Sequence, residues 1–184
     1  MSDSKDRLFL NTKQMDGVLA EMAASMARSC GQEFALVGIQ SRGVPLAKSL
    51  AHHLEKINKK APKVGIVDIN LYRDDLTEVS SQPVIHNTEM GFPIQNLGLI
   101  LVDDVLYTGR TVLAAIKALI AQGRPKYIKL AALIDRGWRE LPIEADFVGR
   151  KVETRADEVV KVMCKEKDGK DEVWIKSHFN KRSA

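Results

Sequence analysis

Residues 99–111 read Leu-Ile-Leu-Val-Asp-Asp-Val-Leu-Tyr-Thr-Gly-Arg-Thr. The apolar run 99–102 is too short for a helix and too continuous for a half-exposed strand, which predicts a central parallel strand buried on both faces. Asp103 and Asp104 emerge at its carboxyl end, the edge where open α/β sheets bind ligands. Thr108, Gly109, Arg110 and Thr111 precede a helical stretch at 112–121, so their backbone amides can converge on an anion at a helix N-terminus. Two hydroxyls and a guanidinium add donors, and Gly109 allows close approach of the backbone. The plainer reading of the same residues is a capped helix after an ordinary strand, with two solvated aspartates. A P-loop is excluded because no Gly-x-x-x-x-Gly-Lys-Ser/Thr occurs, and a Rossmann turn for want of Gly-x-Gly-x-x-Gly. A phosphoacceptor receiver domain would use the paired aspartates but leaves 108–111 without a role.

Outward from this segment, strands and helices alternate. Met15, Val18, Leu19, Met22, Ala23 and Met26 recur at helical spacing behind Asn11-Thr12, predicting a capped amphipathic helix over 13–29 whose methionines belong to the core. A strand is expected at 34–39, a helix at 44–57, a strand at 64–71 and another at 127–134. Periodicity fades from 72 to 96, where Ser80, Ser81, Pro83 and Gly91 break it, which fits an active-site loop or short hairpin. Short strands follow near 147, 159–163 and 173–175, with a turn at 165–170. The alternation predicts an α/β fold with a doubly wound, mainly parallel sheet and no second domain.

Composition is consistent with this. The chain has 184 residues, 45% apolar and 28% charged, enough for one domain with a substantial core. No apolar run approaches the length of a membrane span, and the N-terminus has no signal-peptide pattern, so a cytoplasmic protein is expected. Cys30 and Cys164 show no metal-ligand spacing and are read as free thiols. The +4 formal charge sits largely at 56–60 and in the tail 165–182, which read first as solvated surface.

The wording Val-Asp-Asp-Val-Leu-Tyr-Thr-Gly-Arg-Thr resembles the phosphoribosyl pyrophosphate (PRPP) signature of type I phosphoribosyltransferases, and in particular that of the PyrR family. The resemblance extends through Val37-Gly38-Ile39-Gln40-Ser41-Arg42-Gly43, Leu71-Tyr72-Arg73-Asp74-Asp75-Leu76, Gly123-Arg124-Pro125 and Asp135-Arg136-Gly137-Trp138-Arg139-Glu140-Leu141-Pro142-Ile143, covering roughly 32–162. It implies a type I phosphoribosyltransferase fold over 1–184: a twisted, mainly parallel sheet flanked by helices, a flexible active-site loop, and a small hood built largely from about 135–184. The implied reaction is attack of uracil N1 on C1 of PRPP, giving UMP and pyrophosphate through a transition state of oxocarbenium character.

On this reading Asp103 and Asp104 hold the ribose hydroxyls and stabilise the developing cation, while Thr108, Gly109, Arg110 and Thr111 grip the 5-phosphate. Val105, Leu106 and Tyr107 complete the substrate-binding string. Ser41, Arg42 and Gly43 become the pyrophosphate loop, which as an isolated glycine turn would be only geometry. Arg73 is the catalytic cation of the mobile segment; Asp74 and Asp75 beside it read equally as solvated turn charges. Arg136 lies near the base, and the strand at 159–161, with Val160, offers backbone groups to the uracil edge. Mg²⁺ is the expected cofactor, held mainly by substrate and water with Asp103 and Asp104 as candidate ligands. A homo-oligomer, a dimer or larger, is implied, and no membrane partner.

Tyr107 stands where purine transferases of this superfamily commonly carry an aspartate, which favours a pyrimidine over the purine alternative; a buried structural tyrosine is the plainer reading. Trp138 departs from the family wording, which has histidine there. Regulatory members of the family bind mRNA leaders on a basic face drawn from the first helix and the segment after Asp-Arg-Gly. Here the first helix carries Asp16 and Glu21, with Lys13 and Arg28 only near its ends, and Glu144 adds another negative charge. Arg139, Arg150, Lys151 and Arg155 remain basic. The expectation is therefore an enzyme with weakened or absent leader-RNA binding, against the alternative of a UMP- and PRPP-sensing RNA-binding regulator.

Overall fold

The computed structural model describes residues 6–69 and 90–177. Arg73 and most of the segment expected to form the active-site loop lie outside the described residues.

Five strands form a wholly parallel sheet: β2 (Phe34–Ile39), β3 (Lys63–Val67), β4 (Gly98–Leu106), β5 (Tyr127–Asp135) and β6 (Phe147–Lys151), in spatial order β3-β2-β4-β5-β6. β4 is central, as its apolar run requires. Ile100 and Val102 enter the core shared with helices α1 (Thr12–Cys30) and α2 (Gly43–Asn58), whereas Leu99 and Leu101 enter a second core beneath α3 (Arg110–Gln122). Alternate side chains of one strand thus serve opposite layers, each fully buried aliphatic contributing about 1.5–3 kcal/mol.

A second, antiparallel sheet of three strands has the order β1-β8-β7, from β1 (Arg7–Leu10), β8 (Glu172–Ser177) and β7 (Glu158–Met163). Its buried Leu10, Val160, Val162, Val173 and Ile175 pack into the α1/α2 core. The one-turn helix α4 (Lys165–Asp168) and Gly169 join β7 to β8 where the sequence predicts a turn.

The first helix buries the six residues that its periodicity singles out. Asn11 caps it by accepting from the Gln14 amide, while the Gln14 side chain accepts from the Asn11 amide. Three boundaries differ from expectation. The strand expected at 64–71 ends at Val67. β4 continues through Asp103 and Asp104 to Leu106, so the carboxylates lie within the strand and not beyond its end. β1 has no sequence forecast: four residues, half of them exposed, carry no periodicity, and only pairing with distant β8 makes them a strand.

Candidate functional site

The strand order fixes where a ligand crevice must open. β2 continues into α2 on one face and β4 into α3 on the other, so the neighbouring carboxyl ends of these parallel strands diverge at a topological switch point. Ser41-Arg42-Gly43 leaves β2 on one side; Asp103 through Thr111 leaves β4 on the other. The sequence-derived pyrophosphate turn and PRPP string therefore face each other across one sheet edge. Gly43 is required by the contact itself, since a Cβ there would collide with the Val102 carbonyl oxygen of β4.

The two aspartates differ although adjacent. Asp103 is 6% exposed and accepts the Asp104 amide at 2.9 Å; Asp104 is less buried and accepts the Val105 amide at 3.0 Å. Strand alternation turns them apart. Asp103 lines a cavity of about 550 Å³ that runs along the 105–114 turn, and Asp104 lines one of about 630 Å³ shared with Arg42 and β7. Burial holds the Asp103 carboxyl well above the usual carboxylate range, and the Asp104 charge adds to that. Burial also raises Asp104, but its hydrogen bonds and the Arg42 guanidinium oppose the rise. Burial thus pushes both carboxyls of the pair toward protonation, Asp103 the more strongly, while Arg42 and the hydrogen bonds counter the rise at Asp104.

The anion turn is preorganised. Gly109, at φ +91°, caps α3 with its carbonyl accepting from the Leu113 amide, and the Thr108 hydroxyl accepts from the Arg110 amide at 3.3 Å. The helix begins at Arg110, two residues earlier than expected, so Arg110 and Thr111 form its first turn, where amides lack intrahelical acceptors. The Thr108 carbonyl accepts from the Glu140 and Leu141 amides, which clamps the turn from behind. The Arg110 side chain is largely exposed and pairs with Glu140 at 2.6 Å.

Across the crevice, Val160, Lys161 and Val162 of β7 line the Asp104 cavity with Arg42. Arg42 donates to Asp168 at 3.2 Å, tying the β2 turn to α4. Arg136 is 6% exposed; its guanidinium donates to the Glu158 carbonyl at 2.9 Å and lies 4.2 Å from the Tyr107 ring centroid. Tyr107 is 37% exposed, which excludes a buried structural tyrosine. Trp138, at φ +60°, is half exposed and donates from Nε1 to the Thr154 carbonyl at 3.0 Å.

Among the described residues no group of three His, Cys, Asp or Glu side chains could hold a metal. Asp103 and Asp104 nevertheless supply hard oxygen ligands at the crevice, a donor set that fits Mg²⁺ carried chiefly by substrate oxygens and water.

Residues 9–167 match the family model described as phosphoribosyl transferase domain. A protein from Acetivibrio thermocellus named bifunctional protein PyrR is 56% identical over 141 residues, 77% of either chain. Proteins of the same name from Thermus aquaticus and Syntrophobacter fumaroxidans are 48% and 44% identical, the first over 91% of this chain and 94% of its own, the second over the whole of both. The chain belongs to the PyrR family of phosphoribosyltransferases. Among solved structures, a hypoxanthine-guanine phosphoribosyltransferase from Bacillus anthracis shares the fold, with TM-score 0.71 at 18% identity over 94% of this chain and 98% of that one. A hypoxanthine phosphoribosyltransferase from Staphylococcus aureus gives TM-score 0.67 at 22% identity over 83% and 80%.

Two features of this PyrR-family crevice were not legible as site residues. Arg139, named from the sequence only as a remaining basic residue of the RNA face, donates to the carbonyls of Ile143, Leu106, Tyr107 and Gly137 and pairs with Asp135 at 2.7 Å. It organises the loop that presents Tyr107. Asp168 lies in a charged turn with no motif, and only tertiary folding brings it to Arg42. No helix among the described residues is long and apolar enough to cross a membrane.

Proposed function

We propose that this phosphoribosyltransferase joins uracil to PRPP, forming UMP and pyrophosphate. The observation that carries this is the carboxylate pair at the β2/β4 switch point, flanked by an anion-binding helix start on one side and by Arg42 and β7 on the other. The 5-phosphate docks on the amides and hydroxyls of Thr108, Gly109, Arg110 and Thr111, where the helix dipole adds attraction. Ser41, Arg42 and Gly43 receive the pyrophosphate. Asp104, whose burial raises its pKa while its hydrogen bonds and Arg42 oppose the rise, faces the ribose and stabilises positive charge developing at C1. Asp103, biased toward protonation, orients a ribose hydroxyl by hydrogen bonding. Asp103 and Asp104 would support a Mg²⁺ ion held mainly by substrate oxygens and water, which would supply charge neutralisation to the pyrophosphate leaving group. Arg73, outside the described residues, is the proposed cation of the covering loop. The chain is proposed to work in the cytoplasm as a homo-oligomer.

The preference for a pyrimidine rests on Tyr107, Arg136 and the β7 edge. Where a purine base would be met by a carboxylate, the site presents an aromatic ring backed by a guanidinium, which is tied to the start of β7 through the Glu158 carbonyl, while Val160 of β7 lines the Asp104 cavity. Mixing the protein with Mg²⁺, PRPP and each free base, and measuring pyrophosphate release, tests the assignment. Turnover is expected with uracil; turnover only with hypoxanthine, guanine or xanthine would replace it with the purine reading.

The relatives' name, bifunctional, raises the regulatory role. We propose that leader-RNA binding is weakened here, because Glu21 of α1 pairs with Arg150 at 2.9 Å and Arg155 pairs with Asp157 at 3.2 Å. Arg139 is spent on backbone carbonyls. Three cations of that face, Arg139, Arg150 and Arg155, are thus engaged within the chain.

A further inference from the structure

Arg42 is the cation through which the β2 turn meets both Asp104 and the antiparallel sheet, and its position is not set by its own turn. No side-chain cap or neighbouring residue holds it; its one side-chain partner among the described residues is Asp168, 126 residues away. Asp168 is itself anchored. One carboxylate oxygen, Oδ1, accepts from Arg42 Nη2, and the other, Oδ2, accepts the Cys164 amide at 2.9 Å. Cys164 is fully buried at the end of β7, so the carboxylate is fixed to the sheet that carries Val160 and Lys161. Both partners are mostly buried, with side chains 24% and 16% exposed. Arg42 Nε is buried without a hydrogen-bond partner, so the guanidinium is not fully committed by its contact with Asp168, and the residue lines the Asp104 cavity.

We propose that Asp168 is a positioning residue for PRPP and pyrophosphate binding, holding the Arg42 guanidinium at the mouth of the crevice and latching the β2 turn to the β7-β8 sheet. Asp168 touches no reacting atom and acts through Arg42. A guanidinium fixed by a carboxylate loses little freedom when a phosphate oxygen arrives, whereas a free one must be ordered at that moment. The same contact sets the spacing between the pyrophosphate side, at the β2 turn, and the base side, at β7. A second ion pair to the same short helix α4, Lys48 of α2 with Glu166 at 3.0 Å, has both side chains 54% exposed and reaches no crevice residue. It supplies the control, since so exposed a pair contributes little.

This inference rests on the PRPP reading of the crevice, and the test separates the two by measuring binding apart from turnover. Magnesium pyrophosphate and PRPP are titrated calorimetrically into the full chain and into Asp168→Asn, Arg42→Ala, Asp168→Asn with Arg42→Ala, and Glu166→Gln. Asp168→Asn is expected to weaken both ligands roughly tenfold, the size of one charge-assisted hydrogen bond. In steady state it raises KM for PRPP while kcat and KM for the base change less than about twofold. With Arg42 already truncated, the Asp168 substitution adds no further loss, as required of a residue acting through its partner. Glu166→Gln binds and turns over like the unaltered chain. Unchanged pyrophosphate affinity in Asp168→Asn, an equal loss in Glu166→Gln, or additive losses in the double variant would each overturn the positioning role while leaving the PRPP reading intact. An unaltered chain that binds neither ligand would overturn both.

Discussion

At the residue scale, the adjacent aspartates should separate cleanly by substitution. Asp104→Asn keeps an oxygen for the Val105 amide but removes the charge proposed to face the ribose, so folding should persist while kcat falls roughly 10²–10³-fold, the usual loss for one electrostatic stabiliser. Asp103 behaves differently in the folding equilibrium. Its folded-state pKa lies above the ordinary value of 3.8, so the native state holds its proton longer than the unfolded chain does. Stability from this group is therefore full below that value and declines as pH rises through the folded pKa. Asp103→Asn removes the decline and retains an acceptor for the Asp104 amide. Its Tm at pH 7 should exceed that of the unaltered chain by about 2–4 °C, equivalent to about 1 kcal/mol, with the gap closing toward pH 4. Thermal scans across that range check it, and a lower Tm at neutral pH would refute it. The identity and order of these carboxylates were legible in the sequence, because a short apolar run followed by two aspartates is a local pattern. Their separation into two cavities was not, since that depends on β4 continuing past them. The Tyr107–Arg136 stack was equally hidden: it follows from the parallel register that sets Leu106 opposite Asp135.

At the element scale, the turn after β2 tests how tightly the crevice is built. Gly43→Ala places a methyl against the Val102 carbonyl, and the strand cannot yield because β4 is hydrogen-bonded on both sides. The variant should lose about 1–3 kcal/mol by chemical denaturation and raise KM for PRPP, since Ser41 and Arg42 must move with the turn. Loss of stability with unchanged KM would show that the turn is only scaffolding. The helix that opens the fold was legible almost to the residue, because six apolar positions and an Asn-x-x-Gln box are local signals. Asn11→Ala should cost about 1 kcal/mol and leave turnover unchanged, as α1 lines neither crevice cavity. β1 was illegible for the opposite reason. Its partner strand lies more than 160 residues away, at Ile175 and Trp174, and nothing in the four residues themselves announces it.

At the scale of the whole molecule, charge decides what the surface can bind. A net +4 would suggest affinity for nucleic acid if the cations were clustered and free. On the face drawn from the first helix and the segment after Asp135, Arg139, Arg150 and Arg155 are instead engaged in ion pairs. Glu21 and Arg150 join α1 to β6, and the Arg150 guanidinium beside Glu21 holds its carboxyl below the usual range. Asp16 sits 2.9 Å from His53, so a second acidic group of the first helix faces α2. A single-stranded leader RNA approaching this face would meet few uncommitted cations and release few counterions. The logarithm of its association constant should therefore fall only shallowly with the logarithm of salt concentration. Glu21→Gln frees Arg150 without adding a charge of its own. It should steepen that slope by about 0.7, the contribution of one further phosphate contact on a single strand, and strengthen binding at low salt. Filter-binding titrations of both proteins over a salt series, with and without UMP, measure this directly. Tight, sequence-specific and UMP-enhanced binding by the unaltered chain would overturn the proposed loss of regulation, because it would show that RNA can displace these internal ion pairs.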